Sequence, residues 1–239
     1  MFVKTQGIVL SSMKYADNSF IVSIFTFESG KQTFFVKAVH GKNSKCKPAL
    51  YQPFMILELE YRQVQKQSMR TLREVHISHP YKTIHNHIIK TSMIFFLSEV
   101  LNNALRDEEK DEQLYNFITH SAVLLDTLSE GMNNFHLVFL IKMTKFLGFY
   151  PLENRSVENP YFNLSLGSFC NELLPNTLNE PESLLFYNIM NTEYTSATDL
   201  SITNNQRQTL ISRILVYYKL HLPGFKEPQS LDVLHCLFS

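Results

Sequence analysis

The stretch SFIVSIFTFESGKQTFFVKAV, residues 19–39, decides the fold. Two runs rich in β-branched and aromatic residues, 19–27 and 32–39, flank the turn signal Glu28-Ser29-Gly30-Lys31, which predicts a β-hairpin. Upstream, residues 2–10 form a third apolar run. Downstream, Pro53 opens a run over 54–61 in which Met55, Leu57, Leu59 and Tyr61 share one face and Glu58 and Glu60 the other. A fifth run, 70–78, places Val75 and Ile77 together. Five short strands in so few residues fit a small closed or nearly closed barrel, because closure removes edges that would pair with other chains. A sandwich of the same strands is the alternative.

After Pro80 the period changes. Residues 81–106 contain no Gly or Pro and predict one long helix. The acidic stretch 107–112 precedes a second, in which Leu114, Phe117, Ile118, Ser121, Leu124, Leu125 and Leu128 recur at helical spacing. Gly131 ends it, and Asn134 is placed to cap a nearly all-apolar helix over 135–147, with Gly148 at C′ and Pro151 beyond. Residues 154–181 hold three Pro, one Gly and six Asn and read as irregular, with room for a small hairpin. Helices resume over 182–190, 204–222 and 231–238. The expected class is α+β: a five-stranded barrel over 1–80, then an all-helical domain over 81–239 with an irregular insert at 151–181.

Of 239 residues 44% are hydrophobic, which excludes disorder as a description of the whole chain. Three cysteines, Cys46, Cys170 and Cys236, with no CxxC pair, exclude a disulfide framework and a four-thiolate zinc site supplied by this chain alone. The opening MFVKTQGIVLSS lacks a signal-peptide run, and the longest uncharged apolar stretch, 92–98, is too short for a bilayer. The expectation is a soluble, cytoplasmic protein with no membrane partner.

The net charge of zero hides an asymmetry. Residues 1–80 carry eleven basic against five acidic residues, +6, and the remainder eleven against seventeen, −6. No GxSxG, P-loop, GxGxxG or HExxH motif is present, so no enzyme activity is expected. His85 and His87, two apart, would point to different faces of a helix, and Cys170 is a lone thiol. The positive charge is clustered: Lys37, His40, Lys42, Lys45 and Lys47 fall in KAVHGKNSKCK with no acid among them. Flexible lysines suit phosphate contact, which needs no fixed geometry. Phe35 shares a strand face with Thr33 and Lys37, and an aromatic beside a lysine suits base stacking plus backbone charge, but for this ring alone the barrel core is the favoured reading. Arg62, Lys66, Arg70 and Arg73 make a second basic patch, and Lys14 and Lys31 complete the candidate DNA-binding set.

Gly7-Ile8-Val9-Leu10, Tyr15-Ala16-Asp17-Asn18-Ser19 before Ile24-Phe25-Thr26, Gly30-Lys31, a basic loop ending in Leu50-Tyr51-Gln52-Pro53-Phe54, and Phe146-Leu147-Gly148-Phe149-Tyr150-Pro151 together resemble the RecO recombination mediator family in order and spacing. The resemblance implies an N-terminal OB-fold barrel and a helical domain. It implies binding of single- and double-stranded DNA, strand annealing, and recombinase loading on DNA coated by single-strand-binding protein. The implied partners are RecR and the acidic, apolar C-terminal tail of the single-strand-binding protein. Many members carry two CxxC pairs forming a zinc finger after the Leu-Gly-aromatic motif, whereas here 151–175 holds only Cys170. No zinc and no other cofactor is therefore expected, with Tyr161, Phe162, Leu164, Leu166 and Phe169 packing instead. Lys142, Lys145 and Phe146 are candidates for the partner tail. Two rival readings stay open: a protein-docking adaptor working through the helical domain, and an RNA-binding barrel protein.

Overall fold

The structure, a computed structural model, describes residues 2–16, 19–37, 48–62, 69–130, 132–194 and 200–237. They fall into two compact units, Met1–Asp126 and Thr127–Ser239. The first holds the strands and the first two helices, so packing divides the chain later than the change of element type at Pro80 does.

In the first unit β1 (Phe2–Ala16), β2 (Ser19–Thr26), β3 (Gly30–Lys37), β4 (Ile56–Arg62) and β5 (Arg70–Ile77) close a barrel in the order β1–β2–β3–β5–β4. This is the OB-fold arrangement, and closure excludes the sandwich. β1 runs six residues past the expected end. It pairs with β4 from Phe2 to Ile8 and with β2 from Gly7 to Ala16, with a register shift between Val9 and Ser11. Such a bulge bends the strand from one neighbour to the next. At Gly7 the strand serves both partners, and a Cβ would stand 2.6 Å from Ile24 Cγ2, so a side chain there would force the sheets apart. Val9, Val22, Ile24, Phe34, Leu57 and Tyr61 are fully buried inside. The β3–β5 seam is short and parallel, Phe34 opposite Arg70 and Phe35 opposite Thr71.

α1 (Ile88–Ala104) begins seven residues later than its sequence pattern predicts. The Asp126 carboxylate at the end of α2 (Glu112–Thr127) accepts the backbone N–H groups of Lys82, Thr83 and Ile84 at 2.9, 2.7 and 2.8 Å. Three successive N–H groups turned onto one anion hold 82–84 in a turn. The buried Lys90 ammonium donates to Thr83 Oγ1 at 2.7 Å and to the Asp126 carbonyl at 2.9 Å. Burial alone would raise the Asp126 pKa, but the donated N–H groups outweigh it and hold the carboxyl below the usual range. Asp111 Oδ1 accepts from the Leu114 N–H at 2.8 Å and caps the start of α2.

The second unit is built on α3 (Phe135–Phe146), where Leu137, Val138, Phe139, Leu140, Ile141 and Met143 are all fully buried, as its apolar sequence requires. Gly148, at φ +82°, follows the C-cap Leu147. Asn134 does not cap α3 through its side chain: its Oδ1 accepts from Arg207 Nε at 3.0 Å and its Nδ2 donates to the Leu200 carbonyl at 3.2 Å. α4 (Glu180–Met190) and α5 (Asn204–His221) pack against α3, and α6 (Leu231–Leu237) follows.

The insert forms a hairpin, β6 (Tyr161–Asn163) and β7 (Ser168–Cys170). Phe162 stacks on Phe186 at 4.2 Å and meets Phe169 at 5.0 Å, and Leu164 is buried. Leu166, expected to pack with them, is 62% exposed because it sits in the turn between the strands. The asparagines do the backbone's work: Asn163 Oδ1 accepts from Ser165 and Leu166 N–H, and Asn154 bonds both backbone groups of Phe169. No helix among the described residues is long and apolar enough to cross a membrane.

Candidate nucleic-acid interface

Alternation along β3 sends Phe34 and Val36 into the core and Phe35 outward. The core reading of Phe35 is thus overturned: the core ring is its neighbour Phe34, and Phe35 is only partly covered. Cross-strand pairing places Met13 beside Ile21 and Ile21 beside Phe35, one row over β1, β2 and β3. Tyr15 meets Phe35 edge-on, with ring centroids 6.0 Å apart and planes at 85°. Met13 is 60% and Tyr15 65% exposed. Neither was in the candidate set. Residues 11–16 lack an apolar run, and alternation counted from core Val9 would turn Met13 and Tyr15 inward, whereas the bulge after Val9 turns them outward.

The candidate cations divide. Lys14 and Arg62 are exposed and have no carboxylate partner among the described residues. Lys31 Nζ lies 3.1 Å from Asp107 Oδ1 and donates to the Asn102 carbonyl at 3.0 Å. Arg70, 9% exposed, holds Glu108 Oε1 at 2.9 Å, with its guanidinium 6.0 Å from the Tyr61 ring. Arg73 pairs with Glu60 at 2.6 Å and lies over the Phe2 ring at 4.7 Å. Lys31, Arg70 and Arg73, expected as DNA contacts, are thus each held in an ion pair with a carboxylate of the chain. The acidic stretch 107–112, read from sequence as helix-start charge, supplies two of the carboxylates. Lys37 lies in β3 opposite Ser19, its side chain outside the described residues, as are His40, Lys42, Lys45, Lys47 and Lys66.

Positive charge does not coat the described barrel evenly. The outer face of β1, β4 and β5 carries Glu58, Glu60 and Glu74 with Lys4 and His76 around a cavity of about 310 Å³. Lys4 spends its charge on Glu60 at 3.7 Å. At the end of the β1–β3 outer face Tyr15 and Phe35 meet, while Lys14 lies in the other row of β1, opposite Phe20.

In the second unit Lys142 binds Glu193 Oε1 at 2.7 Å, so this candidate for a partner's carboxylates is already held by one. Lys145, in the last turn of α3, is exposed, and Phe146 is half-buried. His85 Nε2 contacts the Pro53 carbonyl at 2.9 Å, and His87 is exposed. Among the described residues no group of three His, Cys, Asp or Glu is placed to hold a metal ion.

Residues 1–81 match the family described as Recombination protein O N terminal, and residues 85–230 match Recombination protein O C terminal. The chain is similar over its full length to full-length proteins named DNA repair protein RecO. It is 36% identical to that of Flavobacterium psychrophilum over 240 residues, 35% to that of Flavobacterium johnsoniae over 247, and 32% to that of Christiangramia forsetii over 240.

Proposed function

The chain belongs to the RecO family of DNA repair proteins, and from that premise we propose that it is a recombination mediator. It binds single- and double-stranded DNA, promotes annealing of complementary strands, and helps load recombinase onto DNA coated by single-strand-binding protein. One observation carries the reading: partly open Phe35 lies on the outer face of the barrel, and the strand that bears it is followed in sequence by the cationic segment 38–47. Cations on phosphates lower the repulsion between two strands and let complementary bases pair. No covalent bond is made or broken, so the activity needs no catalytic group and no cofactor. Residues 1–80 do the DNA work, and 81–239 dock partners, RecR and the acidic tail of the single-strand-binding protein. Lys145 and Phe146 are the primary tail contacts, because Lys142 must first release Glu193. The setting is the cytoplasm, at the nucleoid.

The test is strand annealing with oligonucleotides precoated with single-strand-binding protein. The full chain accelerates pairing, and its DNA affinity falls steeply with salt. Replacing Lys42, Lys45 and Lys47 together with Ala cuts affinity while the melting temperature holds. Unchanged binding by that triple variant removes the segment from the mechanism, and a preference for RNA over DNA of equal length favours the RNA-binding reading.

A further inference from the structure

We propose that the outer face of β1, β4 and β5 docks an arginine-bearing segment of a partner protein. The inference does not depend on how the chain holds DNA.

Three observations carry it. The first is the pattern on the sheet. Cross-strand pairing sets two rows side by side, Lys4 with Glu60 and Glu74, then Gln6 with Glu58 and His76. All six border the cavity of about 310 Å³. That volume is far more than one ion or water needs, and it takes the end of a long side chain. The second is charge. Lys4 and Arg73 both engage Glu60, at 3.7 and 2.6 Å. Glu58 and Glu74 are exposed and have no cation partner among the described residues. They stand diagonally across the β4–β5 pair, and such neighbours lie roughly 7 Å apart. A guanidinium carries donors on more than one edge, so a single group fits between the two carboxylates. Arg62 stands one row further out, opposite Phe2, and does not border the cavity. The third is that this face already holds one guanidinium. Arg73 bonds Glu60 and lies over the Phe2 ring at 4.7 Å, so ring and carboxylate together hold its head group.

Charge complementarity names the occupant. A phosphate backbone or an acidic peptide would meet two unpaired carboxylates and is repelled. Among the described residues no group of His, Cys, Asp or Glu is placed to hold a metal ion. An ammonium is a point charge, whereas the planar fork of arginine serves both carboxylates at once. Phe2, 52% exposed at the rim, offers apolar surface to the residues beside that arginine, which a protein segment has and a small cation lacks.

The probe is a fluorescein-labelled nona-arginine peptide, mixed with the full-length protein at physiological salt, where exposed charges more than about 8 Å apart are screened. Glu58→Gln with Glu74→Gln neutralises the face and leaves Glu60 and its two cations in place. Glu130→Gln with Glu227→Gln is the control, because it removes the same charge from exposed positions elsewhere. Expected is that the first pair weakens peptide binding about tenfold or more, the control pair stays within about twofold, and both melt with the parent. The same peptide with citrulline in place of arginine does not bind. No loss in the first pair, or an equal loss in both, overturns the docking face. Displacement of the labelled peptide by spermidine as effective, charge for charge, as by unlabelled peptide assigns the face to small polycations and overturns the protein occupant.

Discussion

The Lys31 ammonium rests 3.1 Å from the Asp107 carboxylate, and its side chain is only 15% exposed. Around this pair the loop after α1 lies along β3: the Glu108 N–H donates to the Lys31 carbonyl at 3.0 Å, and Arg70 across the seam binds Glu108. The β3–β5 seam pairs at only two positions, and this loop fills the stretch beside it. Lys31 and Arg70 therefore help close the barrel.

Gly30 is the tightest point of that closure. Its φ is +64°, and a Cβ would lie 2.1 Å from the Glu109 carbonyl oxygen. Gly30→Ala must both strain the backbone and push the loop away, and the expected loss is at least about 2 kcal/mol, read as a lower denaturation midpoint. A variant as stable as the parent would show that the loop yields freely.

Cations in closure and cations open to solvent separate by salt dependence. Lys31→Ala lowers the melting temperature and leaves the slope of log affinity against log salt unchanged. Lys14→Ala and Arg62→Ala leave the melting temperature unchanged, and each reduces that slope by roughly 1. The same slope change for Lys31→Ala as for Lys14→Ala would return Lys31 to the DNA-binding set.

Asp126 answers for the entry into α1. Asp126→Ala strands three turned-in N–H groups and removes the charge beside buried Lys90, and about 3–5 kcal/mol is lost. Asp126→Asn keeps one acceptor oxygen and loses less. Because the folded-state pKa of Asp126 is depressed, its contribution is full above the unfolded carboxyl pKa and disappears as pH falls through the lower folded value. Denaturation titrations from pH 5 downward measure that loss, and Asp126→Asn flattens it.

His136 sets a second acid limit. It is fully buried, and burial, reinforced by the charges of Arg207 and His235, brings its pKa down to about 3. The unfolded chain takes up a proton on this ring near the ordinary histidine value, and the folded chain does not. Stability is therefore lost progressively from about pH 6.5 down to about pH 3, by on the order of 5 kcal/mol in all. His136→Leu removes this slope in urea melts between pH 7 and 5. An unaltered slope in that variant would place the proton uptake elsewhere.

The strands around the Gly30 turn, the apolar α3 and the Gly148 stop were legible because each rests on neighbouring residues. The length of β1 was not, since Ser11 to Ala16 has little apolar content and is strand only because β2 lies beside it. Residues 81–87 carried a helical pattern, yet the Asp126 carboxylate, about forty residues away in sequence, turned them out of the helix. The candidate DNA-binding set was legible as a basic composition, but composition does not say which cation meets a carboxylate from a distant loop.

By itself the sequence determined the element types, the change from strands to helices at Pro80 and the basic character of the first part, because alternation, helical spacing and turn residues act over a few positions. Only the tertiary structure decided that Lys31 and Arg70 face Asp107 and Glu108, and that Tyr15 stands against Phe35. Those outcomes depend on barrel closure and on a bulge that changes which side of a strand faces water, and both are set by partners far away along the chain.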